Sequence, residues 1–498
     1  MFRVRTAENV AVFVALQWFN RVLGVVTKIV LVRLLMPDVF GVFALAAGLV
    51  GFIGTFGSFG LDYAIIRKGD RAAEADYNVG MSLRLVIAVG LFVATVAVAG
   101  PWASLFALPS VAGASQVLAI VYLASPFSFV PSTRLAAELR YRTIAGPSLA
   151  GQISNSLLSV VLAALGFQLW SLVYSLVVSQ VVATVAFSLV CPWTFRFSLR
   201  REVARPLLAY AKHLVSASFL VFLITNIDNF TVGFFLGSTA LGLYAIAYVI
   251  GYLPVTLLSS PAGSALFPSL AKVQSQGDTL RRGYLESFGY AVVFIAPVAF
   301  GMASMAPEIV RIFLGPVWIG ATLPLIVLAF YGLGRALVDF SSSLFAAVGR
   351  PRNIAVLSLY ILVGSLVLLF PLTLTFGISG TAVAMTIPVS AVAIVSIIQS
   401  ARVLRIDSRM FIQRLRSPLI AAAIMGGSLS LLKIAFYAIV PDRITLPFIA
   451  RSDTAAFALA TLPPLGLAVY LALLWILDPS AFRGLWRHAR MILWTRPA

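Results

Sequence analysis

Thr225-Asn226-Ile227-Asp228-Asn229-Phe230-Thr231 places one aspartate and two asparagines inside an apolar segment long enough to cross a bilayer. Val232-Gly233-Phe234-Phe235-Leu236-Gly237-Ser238-Thr239 then turns, and Ala240-Leu241-Gly242-Leu243-Tyr244-Ala245-Ile246-Ala247 opens a second apolar segment. Near the N-terminus the chain reads Phe40-Gly41-Val42-Phe43-Ala44-Leu45-Ala46. The two heptads share the pattern [Phe/Leu]-Gly-[Val/Leu]-aromatic-Ala-[Leu/Ile]-Ala at an offset of roughly 200 residues. The chain therefore reads as two copies of one membrane unit, with polar groups turned inward.

Composition sets the class. The 498 residues are 61% hydrophobic and 11% charged, with a mean hydropathy of +1.01. A soluble protein could not cover so much apolar surface, so the chain is a polytopic membrane protein. In lipid only helices or a closed barrel satisfy the backbone, and long non-alternating apolar runs select helices. Met1-Phe2-Arg3-Val4-Arg5 leads into a charge-bearing span without a cleavage site, so the first span is expected to anchor the chain. A single cysteine, Cys191, excludes an intramolecular disulfide and a thiolate cluster, and His213 and His488 are far apart in sequence. Neither a metal nor a cofactor is expected. The net charge of +19 would suggest nucleic acid in a soluble protein; here it is assigned to cytoplasmic loops, and no nucleic-acid partner is expected.

About 14 spans are predicted, near 8–34, 40–66, 78–100, 112–138, 145–166, 168–191, 207–236, 240–268, 284–306, 319–347, 353–375, 378–401, 418–440 and 456–477. With the N-terminus inside, about 27 of the 36 Lys and Arg fall on the cytoplasmic side, which also puts the C-terminus inside. Leu139-Arg140-Tyr141-Arg142-Thr143-Ile144 resembles Gly349-Arg350-Pro351-Arg352-Asn353-Ile354, and Gly166 has its counterpart in Gly377. Spans 1–6 thus match spans 7–12. Six being even, the copies share one orientation, and their axis lies along the membrane normal with the substrate site expected between them. The division is residues 1–200, 201–405 and 406–498, the last holding spans 13 and 14 and the tail. The longest outer loop is about Pro441 to Thr454.

Charged and polar residues inside spans are the candidate site. Gln17, Asn20, Arg21, Gly24 and Lys28 share one face of span 1, a cationic wall for an anionic substrate or a snorkelling, ion-paired face. Arg84 in span 3 lines the cavity or snorkels. Asp228, with Asn226 and Asn229, can pair with a cation, bind a coupling cation, carry a proton, or pack helices. Tyr331, Arg335 and Asp339 recur every four residues of span 10, where the Arg and Asp can pair. Gln152, Asn155, Ser156 and Ser159 in span 5, and Tyr244, Tyr248 and Tyr252 in span 8, can contact sugar or pack helices. Gly48, Gly51, Gly54, Gly57 and Gly60 drift about 60° per step, so they mark a bendable or closely packed helix and not one seam. Pro126, Pro261, Pro297, Pro324 and Pro388 are expected kinks. Walker A, GxSxG and zinc-pair patterns are absent, which argues against transport driven by the chain's own ATP hydrolysis.

Arg33-Leu34-Leu35-Met36-Pro37-Asp38-Val39-Phe40-Gly41, Phe59-Gly60-Leu61-Asp62, Asn226-Ile227-Asp228-Asn229, Val232-Gly233-Phe234-Phe235-Leu236-Gly237 and Leu241-Gly242-Leu243-Tyr244 resemble, in order and spacing, the Wzx-type, WzxC-like oligosaccharide flippases of the multidrug/oligosaccharidyl-lipid/polysaccharide exporter superfamily. The resemblance implies a V-shaped pair of lobes in a bacterial inner membrane. It implies movement of undecaprenyl-diphosphate-linked oligosaccharide units to the periplasmic leaflet by alternating access, with a polysaccharide polymerase and chain-length or export proteins as partners. Cavity cations would hold the diphosphate, and spans 13 and 14 would guide the lipid tail. Of the polar positions above, only Asp228 with its Asn neighbours lies in a matched motif; Arg21, Lys28, Arg84, Arg335 and Asp339 are placed by position and chemistry. The rivals are a multidrug/cation antiporter of the same superfamily, which a cationic cavity disfavours, a polymerase or ligase, which needs a larger outer loop, and a scaffold, which leaves intramembrane charges unexplained.

Overall fold

The computed structural model describes residues 2–57, 60–68, 72–138, 140–256, 266–267, 269–439, 443–446, 449–479 and 482–483. Arg71, Leu139, Pro261 and the basic tail beyond Arg483 lie outside the described residues. Two compact units are present, Met1–Ala245 and Ile246–Ala498.

In the first unit α1 (Phe2–Leu34) packs on α7 (Tyr141–Ala164), and α7 on α8 (Leu169–Val190). The helices α2 (Pro37–Thr55), α4 (Glu74–Leu105), α5 (Ser110–Leu118) and α6 (Ile120–Ala137) complete the bundle, with a short α3 (Leu61–Ile66) after α2. The long α9 (Arg201–Gly251) breaks at Gly237, whose φ of 81° and ψ of −178° are open to glycine and closed to most L residues. Up to Ala245, α9 belongs to this unit. The division at residue 200 follows the sequence pattern, and the division at residue 245 follows packing.

In the second unit α10 (Gly277–Ser304) packs on α12 (Thr322–Ala347) and on α14 (Arg409–Ile439), and α12 packs on α13 (Pro351–Leu404). Between α10 and α12 lie a short α11 (Ala306–Ile309), a π-helical turn (Val310–Leu314) and a 3-10 turn (Pro316–Ala321). A last helix, α15 (Thr454–Leu477), packs on α14. The helix α13 breaks at Gly377 (φ 59°). Its counterpart Gly166 (φ 87°) sits in the turn between α7 and α8, so the matched glycines do the same work: they end one span and start the next.

Ten of these helical stretches are long and apolar enough to cross a membrane among the described residues. Two of them, broken at Gly237 and Gly377, carry two expected spans each; α1 and α7 are helical but not among the ten, and the expected count of 14 is compatible with this helix set. Leu189, Ile439 and Phe376 remain more than two thirds exposed, as side chains that face acyl tails and not water must be. Among the described residues the fold is otherwise all-α; the exception is an antiparallel hairpin of β1 (Arg443–Leu446) and β2 (Ile449–Asp453) before α15.

The prolines need one correction. Pro126, Pro297 and Pro388 lie inside helices, but Pro324 is the third residue of α12, where a missing N–H breaks no helical bond. Non-helical dihedrals inside the long helices fall at glycines, Gly237 and Gly377. The glycine series of α2 is a packing device. A Cβ on Gly48 or Gly51 would meet the Phe230 or Phe222 ring of α9, one on Gly54 would meet Tyr122 of α6, and one on Gly57 would meet Leu91 of α4. The face turns from one neighbour to the next, as the drift requires.

Candidate functional site

Asp228 is 1% exposed on α9, nine residues before the Gly237 break. The break folds the chain back so that Tyr244, 16 residues later, donates its hydroxyl to Asp228 Oδ2 at 2.8 Å. The Asn229 N–H donates to Oδ1 at 2.9 Å. A buried carboxyl without such donors would cost several kcal/mol (roughly 2–7 for a polar group, more for a charge). Asn226 donates to the Phe222 carbonyl at 3.0 Å and to Thr225 Oγ1 at 3.1 Å, so it serves its own helix. Asn229 Oδ1 is buried and accepts nothing among the described residues.

Tyr244 is held in place by a reciprocal backbone contact. A Cβ on Gly242 would collide with the Pro37 carbonyl, and one on Gly41 with the Ser238 carbonyl. Pro37 and Ser238, like Gly41 and Gly242, are repeat mates. The heptads that reveal the repeat are thus where its copies touch backbone to backbone, with glycine as the only side chain that fits.

The cations of the first unit do different things. Arg21 is half-buried on α1, and the adjacent Asn20 Oδ1 is buried without a partner among the described residues. Gly24 faces the Gln152 amide of α7, so the polar stripes of spans 1 and 5 meet along the packed α1–α7 pair. Gln152 also donates to Ser156 at 3.3 Å. Lys28 is exposed. The Arg84 guanidinium lies over the Phe129 ring, 5.0 Å from its centroid, a cation–π contact.

In the second unit the sequence-predicted candidates gather on α12. Arg335 Nε lies 3.1 Å from Asp339 Oδ1, one turn along the same helix. Tyr331, one turn earlier, is buried, and its hydroxyl lies 3.2 Å from that of Tyr248. Tyr248 and Tyr252 stack at 5.7 Å, and Tyr331 packs against both rings at 5.4 and 6.2 Å. Tyr252 is within hydrogen-bond reach of Arg335. The tyrosine stripe of span 8 and the Tyr-Arg-Asp stripe of span 10 therefore converge on one guanidinium. Tyr244 is the exception, being taken by Asp228. Such a cluster offers flat apolar faces, hydroxyl donors and a planar cation together.

One cluster was not legible in the motifs. Lys433 of α14 donates to the Ser304 carbonyl at 2.9 Å and lies 3.4 Å from Glu308 Oε2, and the Tyr437 hydroxyl donates to Glu308 Oε1 at 3.2 Å. Glu308 is 4% exposed, so this ion pair docks α14 against α11. The available signal was an acid at a span end with a lone lysine inside span 13.

A family model described as "Polysaccharide biosynthesis protein" matches residues 30–323. The succinoglycan biosynthesis transport protein ExoT of Rhizobium meliloti (strain 1021) is 26% identical over 298 residues, covering 59% of this chain and 59% of the relative. The lipopolysaccharide biosynthesis protein WzxC of Escherichia coli (strain K12) is 22% identical over 333 residues, covering 66% and 67%. The matched stretch thus spans about three fifths to two thirds of the curated relatives' length. Among solved structures, lipid II flippase MurJ in an inward closed conformation superposes with a TM-score of 0.75 at 13% identity, covering 93% of this chain and 98% of that one. At that identity the likeness speaks for the fold.

Proposed function

Because this chain belongs to the polysaccharide biosynthesis protein family, we propose that it is a flippase. It carries undecaprenyl-diphosphate-linked oligosaccharide units from the cytoplasmic to the periplasmic leaflet of a bacterial inner membrane by alternating access, with both termini in the cytoplasm. The observation that carries this reading is the Arg335 guanidinium set among Tyr248, Tyr252 and Tyr331 on membrane helices. A charged group inside a span is expensive and marks a substrate path by default. Tyrosine faces suit sugar rings and guanidinium suits phosphate. In the first unit Arg21, Lys28 and Arg84 are the diphosphate ligands; Arg84 can leave the Phe129 face for phosphate because a cation–π contact is weaker than a charge-assisted pair. Asp228 with Asn226 and Asn229, and Asp339 beside Arg335, balance charge or couple transport. The polymerase and the chain-length and export proteins act on what is delivered. The chemistry is transport and not catalysis: lipid-linked glycan enters and leaves unchanged.

The test is a strain lacking this chain, with lipid-linked repeat units tracked by leaflet. The flippase reading expects units to accumulate on the cytoplasmic leaflet. Units that reach the periplasmic leaflet and stay unpolymerised would sink it in favour of an enzyme. Within the site, Arg21→Ala and Arg84→Ala proteins that are well expressed and export normally would remove these two residues from the diphosphate.

A further inference from the structure

The segment between α8 and α9 (Pro192 to Arg200) belongs to no helix or strand, and it is tied down along one edge. The N–H of Arg196 donates to Asn78 Oδ1 at 2.9 Å, and the N–H of Ser198 donates to Ser82 Oγ at 2.9 Å. Asn78 and Ser82 are one turn apart on α4, so a helix face stands where a partner strand would. Trp193 packs on the buried cluster of Leu61, Ile65, Val79, Phe129 and Leu207, which fixes the start of the segment to both α4 and α9.

With alternate amides aimed at α4, the side chains fall on two opposite faces. One carries Trp193, Phe195, Phe197 and Leu199. The ring pairs Trp193–Phe195 and Phe195–Phe197 run along it at 6.1 and 6.3 Å, yet Phe197 stays 60% exposed and Leu199 48%. The other face carries Thr194, Arg196, Ser198 and Arg200, with Arg201 following, and none of the three arginines has a carboxylate partner among the described residues. A two-faced strap pinned at the ends of two membrane helices has one level at which both faces are satisfied: the boundary between acyl chains and headgroups.

We propose that residues 193–201 form a membrane-interface strap, its aromatic face in the acyl boundary and Arg196, Arg200 and Arg201 on anionic phospholipid headgroups. The occupant follows from charge. Guanidinium groups beside an apolar face complement a phosphate layer, because an anionic surface attracts a basic cluster pinned at its level. The strap joins the two sequence repeats, so lipid that holds it also holds the start of α9, which carries Asp228.

The test uses the full chain with Cys191→Ser, labelled with an environment-sensitive fluorophore at Phe197→Cys or at Thr194→Cys, in phosphatidylcholine vesicles with and without phosphatidylglycerol. The strap expects the label at 197 to be quenched by headgroup-labelled spin lipid and shielded from aqueous iodide, and the label at 194 to be reached by iodide. Equal iodide access at both positions overturns the proposal. Shielding of 197 without lipid quenching also overturns it, since protein would then cover the face. Independently, native mass spectrometry from an equal mixture of the two lipids expects an excess of bound phosphatidylglycerol that is lost in the Arg196→Gln/Arg200→Gln/Arg201→Gln protein. No excess in the unaltered chain defeats the headgroup assignment, and an excess that survives the triple change assigns the lipid to other residues.

Discussion

Asp228 and Asp339 are both acids inside membrane helices, and their surroundings differ in kind. Asp339 has its cation on its own helix, one turn away, and the pair keeps 27% and 32% side-chain exposure. Asp228 is 1% exposed and meets a tyrosine hydroxyl and a backbone N–H. The first arrangement is local and could form in an isolated helix. The second exists only once Gly237 has turned the chain and Gly242 has let the next span approach Pro37. A charge neutralised by its neighbour is cheap to keep, whereas a carboxyl held by neutral donors has been placed by the fold itself.

The largest effect should come from breaking the geometry that gives Asp228 its partner. In Gly242→Ala the new Cβ meets the Pro37 backbone, which cannot step aside as a side chain can. Overpacking of this kind costs about 3 kcal/mol. Gly90→Ala in α4 is the control, because nothing outside its own helix lies near its added methyl; helix propensity makes it neutral or stabilising by up to about 1 kcal/mol. Thermal unfolding of the two purified proteins compares them directly. Equal melting temperatures would mean that the two copies do not touch at this heptad.

Next comes the local pair. Asp339→Ala leaves Arg335 among tyrosines without its carboxylate. Breaking a fully buried pair costs roughly 3–5 kcal/mol, and partial exposure brings the expectation down to about 2. Replacing both partners, Arg335→Met with Asp339→Leu, should recover most of that stability, because an apolar pair carries no desolvation penalty. Glycan export separates the two roles: the double variant should fold and still fail to export. A double variant that exports at the parental rate would reduce the pair to self-neutralisation. Third, Tyr244→Phe removes the hydroxyl donor and leaves Asp228 to backbone N–H donors, that of Asn229 among them, for about 1–2 kcal/mol in the same unfolding measurement.

What was legible in the sequence follows the same division. Features set by local periodicity could be read: the Arg335–Asp339 pairing from a four-residue step, the span turns at Gly166 and Gly377 from the repeat, the crowding of α2 from its glycine series. Features set by tertiary approach could not. Tyr248, Tyr252 and Tyr331 stood in two separate stripes, and nothing local said that they share a guanidinium. Tyr244 shared a stripe with Tyr248 and belongs instead to Asp228. Arg84 read as a cavity or snorkelling cation, and its ring partner Phe129 is 45 residues away in sequence. The hairpin after α14 escaped a helix-only reading because its strands are four and five residues long.

The smallest effect on stability and the sharpest test of the comparison is Asp228→Asn. Asparagine can keep its oxygen for the Asn229 N–H and turn its amide toward the Tyr244 hydroxyl, which also accepts, at nearly the same volume, so unfolding should shift by less than about 1 kcal/mol. Charge and proton exchange are lost. If Asp228 is an acceptor for Tyr244 and nothing more, glycan export in the Asp228→Asn strain should match the parent, and Tyr244→Phe should be the more damaging change. If Asp228 couples or balances charge, export should collapse while the protein still accumulates and melts normally, and Tyr244→Phe should retain part of it. The proposed function expects this second pattern. The ranking of the two variants by export, set against their opposite ranking by stability, separates a carboxyl that supports the fold from one that the fold supports.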